Sequence, residues 1–89
     1  MIDTPYTNAY ISTVATTTLK SGHGQLHSIT VSETAAGTVT VYDNTAGSGT
    51  VIAVLKASIA EQTYFFDVSF NTGLTVVTAG ASKLSVSYR

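Results

Sequence analysis

The sequence predicts a small antiparallel β-sandwich, and three features lead to this prediction. Sixteen threonines, ten valines and eight aromatic residues favour a pleated, half-buried backbone. Good helix formers are sparse, and Gly, Asn and Ser interrupt the chain at short intervals. A chain of 89 residues has room for one domain. We therefore expect six or seven strands in two packed sheets, in a jelly-roll or immunoglobulin-like order.

Residues 1–18 are predicted to form an extended N-terminal arm, and residues 19–89 the single sandwich domain. Pro5 has no backbone N–H to contribute to a sheet at its own position. Residues 6–18 are rich in Thr and Ala but show no clean period. We expect one irregular strand here, in a position to reach a neighbouring subunit.

The first strand of the domain is predicted at residues 25–32, where apolar and polar side chains alternate. His27, Ile29 and Val31 fall on one face of this strand. We expect that face to be buried, with His27 in the core or in an interface.

The middle of the chain predicts two more strands around a turn. Residues 38–42 alternate with two valines inward, and residues 43–49 combine two glycines with Asn and Asp, which is the strongest turn signal in the chain. Residues 51–55 are continuously apolar and short, which favours a strand over a helix. Residues 57–61 are compatible with one helical turn.

The last third predicts three strands. Residues 64–70 alternate, with Phe65 on the face opposite to the other aromatic side chains. A turn at 71–73 leads to residues 74–78 and 84–88, which we expect to pair with each other as a terminal hairpin.

Composition indicates self-association. Only 10% of the residues are charged, against about 25% in typical soluble domains. A domain of this size buries only about 63% of its unfolded surface, and without cysteines it has no disulfide to stabilise it. The four basic residues are scattered and no apolar run approaches membrane length, so we expect neither nucleic acid nor membrane among the partners.

The residues that could carry chemistry do not predict an enzyme, a cofactor or a metal site. His23 and His27 are four residues apart on a predicted strand, which separates them by about 13 Å, too far for one ion. No serine lies in a nucleophile-elbow motif with a suitably placed base. Segment 43–48 lacks the alternating acids and closing Glu of a calcium loop.

The exposed aromatic residues are candidates for contacts with another molecule. Tyr42 and Phe65 fall on predicted outer faces, and Tyr6 and Tyr10 lie on the arm. Aromatic side chains combine a large contact area with few rotatable bonds, so packing against a subunit or host surface, ordinary core packing and glycan contact are all open readings. Tyr42 with Asp43 and Asn44 is the local candidate for a glycan contact.

From Leu19 to the end, the sequence resembles small virion proteins of tailed bacteriophages. The likeness is carried by strand-and-turn motifs over some 80% of the chain, namely Leu19-Lys20-Ser21-Gly22, residues 24–29, residues 37–50 around Tyr42-Asp43-Asn44-Thr45, residues 71–80 and residues 84–89.

The resemblance implies a non-enzymatic decoration or cement protein. It would assemble as a homotrimer, bind the major capsid protein or another virion protein, and be found in the virion after synthesis in the host cytoplasm. A position at a vertex, neck or tail is equally open. The residues expected at the interface are Ile2, Tyr6, Tyr10, Ile11, Val14, Tyr42 and Phe65. The alternative is a receptor- or carbohydrate-binding module of a tail fibre or adhesin.

Overall fold

The computed structural model describes residues 6–89, so Ile2 lies outside the described part of the chain. Eight strands account for most of these residues. They are β1 (Thr7–Ile11), β2 (Ala15–Ser21), β3 (Gly24–Glu33), β4 (Val39–Asp43), β5 (Thr50–Leu55), β6 (Thr63–Phe70), β7 (Gly73–Thr78) and β8 (Lys83–Tyr88). No helix among the described residues is long and apolar enough to cross a membrane.

The strands form two four-stranded antiparallel sheets. The first sheet has the order β1-β8-β3-β6 and the second the order β2-β7-β4-β5. The first strand pairs with the last, the second with the second last, and so on inward, as in one long hairpin folded over on itself. These nested pairs are β1–β8, β2–β7, β3–β6 and β4–β5. Every connection except β4–β5 crosses between the sheets. This strand order is a jelly roll, so the predicted sandwich is confirmed and its order is decided.

The predicted N-terminal arm is replaced, over residues 6–18, by two regular strands. β1 pairs with β8 in the first sheet, and β2 begins in the same segment and pairs with β7 in the second. The chain passes from the first sheet to the second at residues 12–14, and a bulge between Thr18 and Lys20 interrupts the alternation of β2. The segment therefore belongs to the domain that was predicted to begin at residue 19.

Two local predictions in the last half of the chain are wrong. β7 and β8 do not pair with each other, because β7 lies between β2 and β4 while β8 lies between β1 and β3. Residues 57–61 form no helical turn, and Ser58 adopts a left-handed backbone with φ of 56°. A short connection allows a hairpin, but the partners that bury each strand's apolar face decide its pairing.

The core lies between the sheets and contains the inward side chains of both. The alternation predicted for β4, β6 and β8 agrees with it. Its buried apolar residues are Ile11, Leu26, Ile29, Val31, Val39, Val41, Ala53, Leu55, Phe70, Leu74, Val76, Leu84 and Val86.

A bulge in β3 changes the predicted position of His27. The pairing with β8 shifts between Leu26 and Ser28, so Leu26 and Ile29 are both buried although they are three residues apart. A bulge inserts one extra residue and re-aims the neighbouring side chain. His27 therefore lies on the outer surface, and its predicted place beside Ile29 is wrong.

Candidate functional site

Three rings lie in contact on the outside of the first sheet. The His27 ring stacks on Tyr6, with centroids 4.2 Å apart and planes 17° apart. Phe65 meets His27 edge to face, with centroids 5.6 Å apart. The Arg89 guanidinium lies 5.0 Å from the Tyr6 centroid, a cation–π distance. We call the outer side of this sheet the aromatic face.

Asp67 orients His27 within this face. The Nδ1–H of His27 donates to Asp67 Oδ1 over 2.6 Å, because an ionised carboxylate can only accept. Asp67 has φ of 49° and sits where the pairing of β3 with β6 shifts. A left-handed Asp at a bulge aims its carboxylate away from the regular strand direction. The Asp67 side chain is 56% exposed, so the pair remains open to solvent.

Short hydroxyl side chains form the floor of the aromatic face. Ser85 lies between Tyr10 and Thr30 in the strand register, and Ser28 lies between Ser87 and Phe65. Directly opposed residues share a face of the sheet. Tyr10 is 59% exposed and Phe65 67% exposed. The two rings stand on the two edge strands, with a low, uncharged floor between them.

The second sheet has a different outer surface, which we call the valine face: Thr40, Tyr42, Val51 and Val54. In the register Thr40 faces Val54 and Tyr42 faces Val51. A register shift in β5 lets both valines point outward although they are three residues apart, and they are 49% and 57% exposed. None of these four side chains carries a charge.

The β4–β5 loop covers the other half of the second sheet. The Thr18 hydroxyl donates to the Thr45 carbonyl, which ties the loop to β2. Gly47 lies so close to the sheet that an added Cβ would be 2.9 Å from a methyl group of Val77 and 3.1 Å from one of Thr16. The predicted turn at 43–49 is thus a packed loop, and the open apolar surface is confined to the β4–β5 half.

Asp43 and Asn44 are occupied by internal hydrogen bonds. Asp43 Oδ1 accepts from the backbone N–H groups of Thr72 at 2.8 Å and Asn71 at 3.1 Å, and more weakly from Gly73. The bonds from Thr72 and Asn71 lower the pKa of the Asp43 carboxyl below its ordinary value of 3.8.

The Asn44 side chain closes its own loop, donating to the Ser48 carbonyl and accepting from the Thr45 N–H, both at 2.8 Å. The side chains of Asp43 and Asn44 thus hold loops together, and the glycan contact at Tyr42, Asp43 and Asn44 stays a prediction.

The predicted interface residues are divided among four places. Tyr6, Tyr10 and Phe65 share the aromatic face, and Tyr42 lies on the valine face. Val14 is exposed in the β1–β2 connection. Ile11 is a core residue with 5% exposure, so its prediction as a contact residue is wrong.

Sequence reasoning missed the roles of His27, Asp67, Arg89, Val51 and Val54. The register shifts that place His27, Val51 and Val54 on the surface leave no simple trace in a period-two pattern, and the contacts of Asp67 and Arg89 depend on strand pairing. In the described part of the chain, no three His, Cys, Asp or Glu side chains come together to hold a metal ion.

The fold and these surfaces define the class of the protein as a small jelly-roll domain with two chemically distinct outer faces. Comparison with protein-family models, curated proteins and solved structures found no match for the chain.

Proposed function

We propose that this chain is a non-enzymatic structural protein of a bacteriophage virion, a decoration protein that attaches to the head through its valine face. The resemblance of residues 19–89 to small virion proteins supports the virion role. The valine face is the observation that carries the attachment.

The chemistry of the valine face suits a protein surface. Interface cores are depleted in charged residues, because a buried charge without a partner is costly. Val51 and Val54 can lose water contact without leaving a charge unpaired, and Tyr42 adds an aromatic side chain beside them. A protein that binds only the assembled shell stabilises that shell by mass action.

The proposal includes self-association as a homotrimer. The aromatic and valine faces lie on opposite sides of one sandwich. Contacts between opposite faces of successive copies would produce an open stack and not a closed ring. A trimer would therefore use strand edges or connecting loops, which leaves both faces available. Light scattering at protein concentrations across the micromolar range measures the mass of the oligomer and tests whether it is a trimer.

The test is co-sedimentation with heads of the phage that encodes the chain, prepared without this protein. We expect the wild-type protein to pellet with the heads, and the variants Val51→Lys and Val54→Lys to remain in the supernatant. Tyr10→Lys, which places the same charge on the opposite face, is the matched control and should still pellet. A wild-type protein that never pellets contradicts the proposal, and equal binding by all variants contradicts the choice of face.

A further inference from the structure

We infer that the aromatic face is a binding site for a neutral oligosaccharide. This inference goes beyond the proposed virion role and does not depend on it. It rests on the shape of the face, the chemistry of its floor and the orientation of His27 and Asp67.

The face has a raised rim and a low floor. Tyr10 and Phe65 stand on strands β1 and β6, which three interstrand spacings, about 14 Å, separate. Tyr6, His27 and Phe65 are in contact and together close one end of the site, with Tyr6 four residues before Tyr10. The floor between them consists of the short side chains of Thr30, Ser85 and Ser87, while Ser28 in the same rows is buried.

The size of the site favours a small ligand over a second protein. In the register Phe65 is aligned with Asn8, two residues from Tyr10, so the floor between the Tyr10 and Phe65 rings is about 14 Å by about 7 Å, whereas each partner in a standard protein interface contributes about 800 Å². A second copy of the chain or a flat protein surface would also lie on the projecting rings and leave the serine floor without contacts. A chain of sugar rings can lie between the rims.

The floor and rim together match a polyol with apolar ring faces. Serine and threonine hydroxyls rotate and can donate or accept, as sugar hydroxyls do. Exposed aromatic rings supply flat apolar surfaces, the usual complement to a few placed polar groups in a ligand site. The floor carries no charge, and the Asp67 carboxylate and the Arg89 guanidinium on the same face have opposite signs, so the face favours a ligand without net charge.

His27 and Asp67 supply the fixed polar end of the site. Because the Nδ1–H of His27 donates to Asp67, Nε2 is the ring nitrogen left to hydrogen-bond a sugar hydroxyl. The second carboxylate oxygen of Asp67 is a further acceptor for a sugar hydroxyl. A left-handed non-glycine residue costs folding free energy, and such residues are concentrated at functional sites.

The test is a printed array of neutral oligosaccharides, probed with the full chain displayed multivalently and followed by calorimetry with the strongest hit. We expect Phe65→Ala and Tyr10→Ala each to weaken binding about tenfold or more, because each removes one stacking surface. Val54→Ala, an equally exposed position on the valine face, is the control and should bind like the wild type.

Two NMR measurements locate the bound ligand and distinguish a loss of binding from a loss of folding. Amide NMR spectra should show shifts confined to β1, β3, β6 and β8 when the hit is added, and native-like spectra of both variants exclude misfolding. No array signal with the wild-type protein, or equal affinity of Phe65→Ala and wild type, would overturn the inference. Head binding by the same variants reports on the proposed function separately.

Discussion

The aromatic face and the valine face occupy equivalent positions on two sheets of one sandwich, yet they differ in construction. The aromatic face has polar groups held in fixed orientations: Asp67 holds His27, and His27 stacks on Tyr6. The valine face has two valines beside a threonine and a tyrosine, and none of these side chains carries a charge. Alternation along a strand separates inside from outside, but it does not distinguish a surface that recognises polar ligands from one that excludes water.

Asp43 and Asp67 show the same contrast at the level of one residue type. Asp43 is enclosed by backbone N–H groups of the β6–β7 turn and stabilises the fold. Asp67 has one described side-chain partner, His27, and remains 56% exposed. The first carboxylate is committed to structure, and the second can still interact with a ligand.

The largest change in the free energy of unfolding is expected on β1, where a core residue is next to a residue of the aromatic face. Ile11→Ala should lower the free energy of unfolding by about 2–4 kcal/mol, because it leaves a cavity in the core. Tyr10→Ala, its outward neighbour, should change it by less than about 1 kcal/mol. Urea denaturation measures both. Similar losses would mean that the aromatic face contributes to the core.

The next largest change in stability is expected at Asp43, and this change depends on pH. Asp43→Asn should lower the melting temperature at neutral pH, because the amide oxygen is a weaker acceptor for the turn N–H groups than a carboxylate. A lowered pKa means that the stabilisation is fully present above the ordinary value of 3.8 and is lost as the pH falls through the folded-state value.

Melting curves of wild type and Asp43→Asn from pH 7 to pH 2 check the sign. The two melting temperatures should converge as the pH falls below 3.8. A gap that stays constant over this range would show that the carboxylate charge is not the source of the stabilisation.

A smaller effect is expected from the backbone of Asp67. Alanine in the left-handed region is strained and glycine is not, so Asp67→Ala should be less stable than Asp67→Gly by about 1 kcal/mol. Both variants lose the His27 bond and serve as controls for each other. Chemical denaturation compares them. An alanine variant as stable as the glycine variant would show that the bulge relaxes without strain.

The smallest effect is expected when one exposed side chain on each face is made polar. Phe65→Thr and Val54→Thr should each change the free energy of unfolding by less than about 0.5 kcal/mol, because both side chains are already largely in water. Paired denaturation curves test this. A large loss at either position would assign that face to folding.

The fold class could be read from the sequence because β-propensity and alternation are local properties. Inward Val39 and Val41, and inward Leu84 and Val86, were correct for this reason. The site could be found only in part. Tyr6, Tyr10 and Phe65 were predicted as contact residues from their type, but the contacts of Tyr6 and Phe65 with His27 depend on strand pairings that are distant in sequence.

Composition and strand patterning were enough to identify a small β-sandwich of very low charge with aromatic side chains on its outer faces. Strand pairing over long sequence distances fixed the remaining features. It set the nested order of the strands, placed Ile11 in the core, and turned His27 outward through a bulge. The physical reason is that a strand's pattern specifies which side to bury, while the partner strand and the register are selected by the total burial of both sheets.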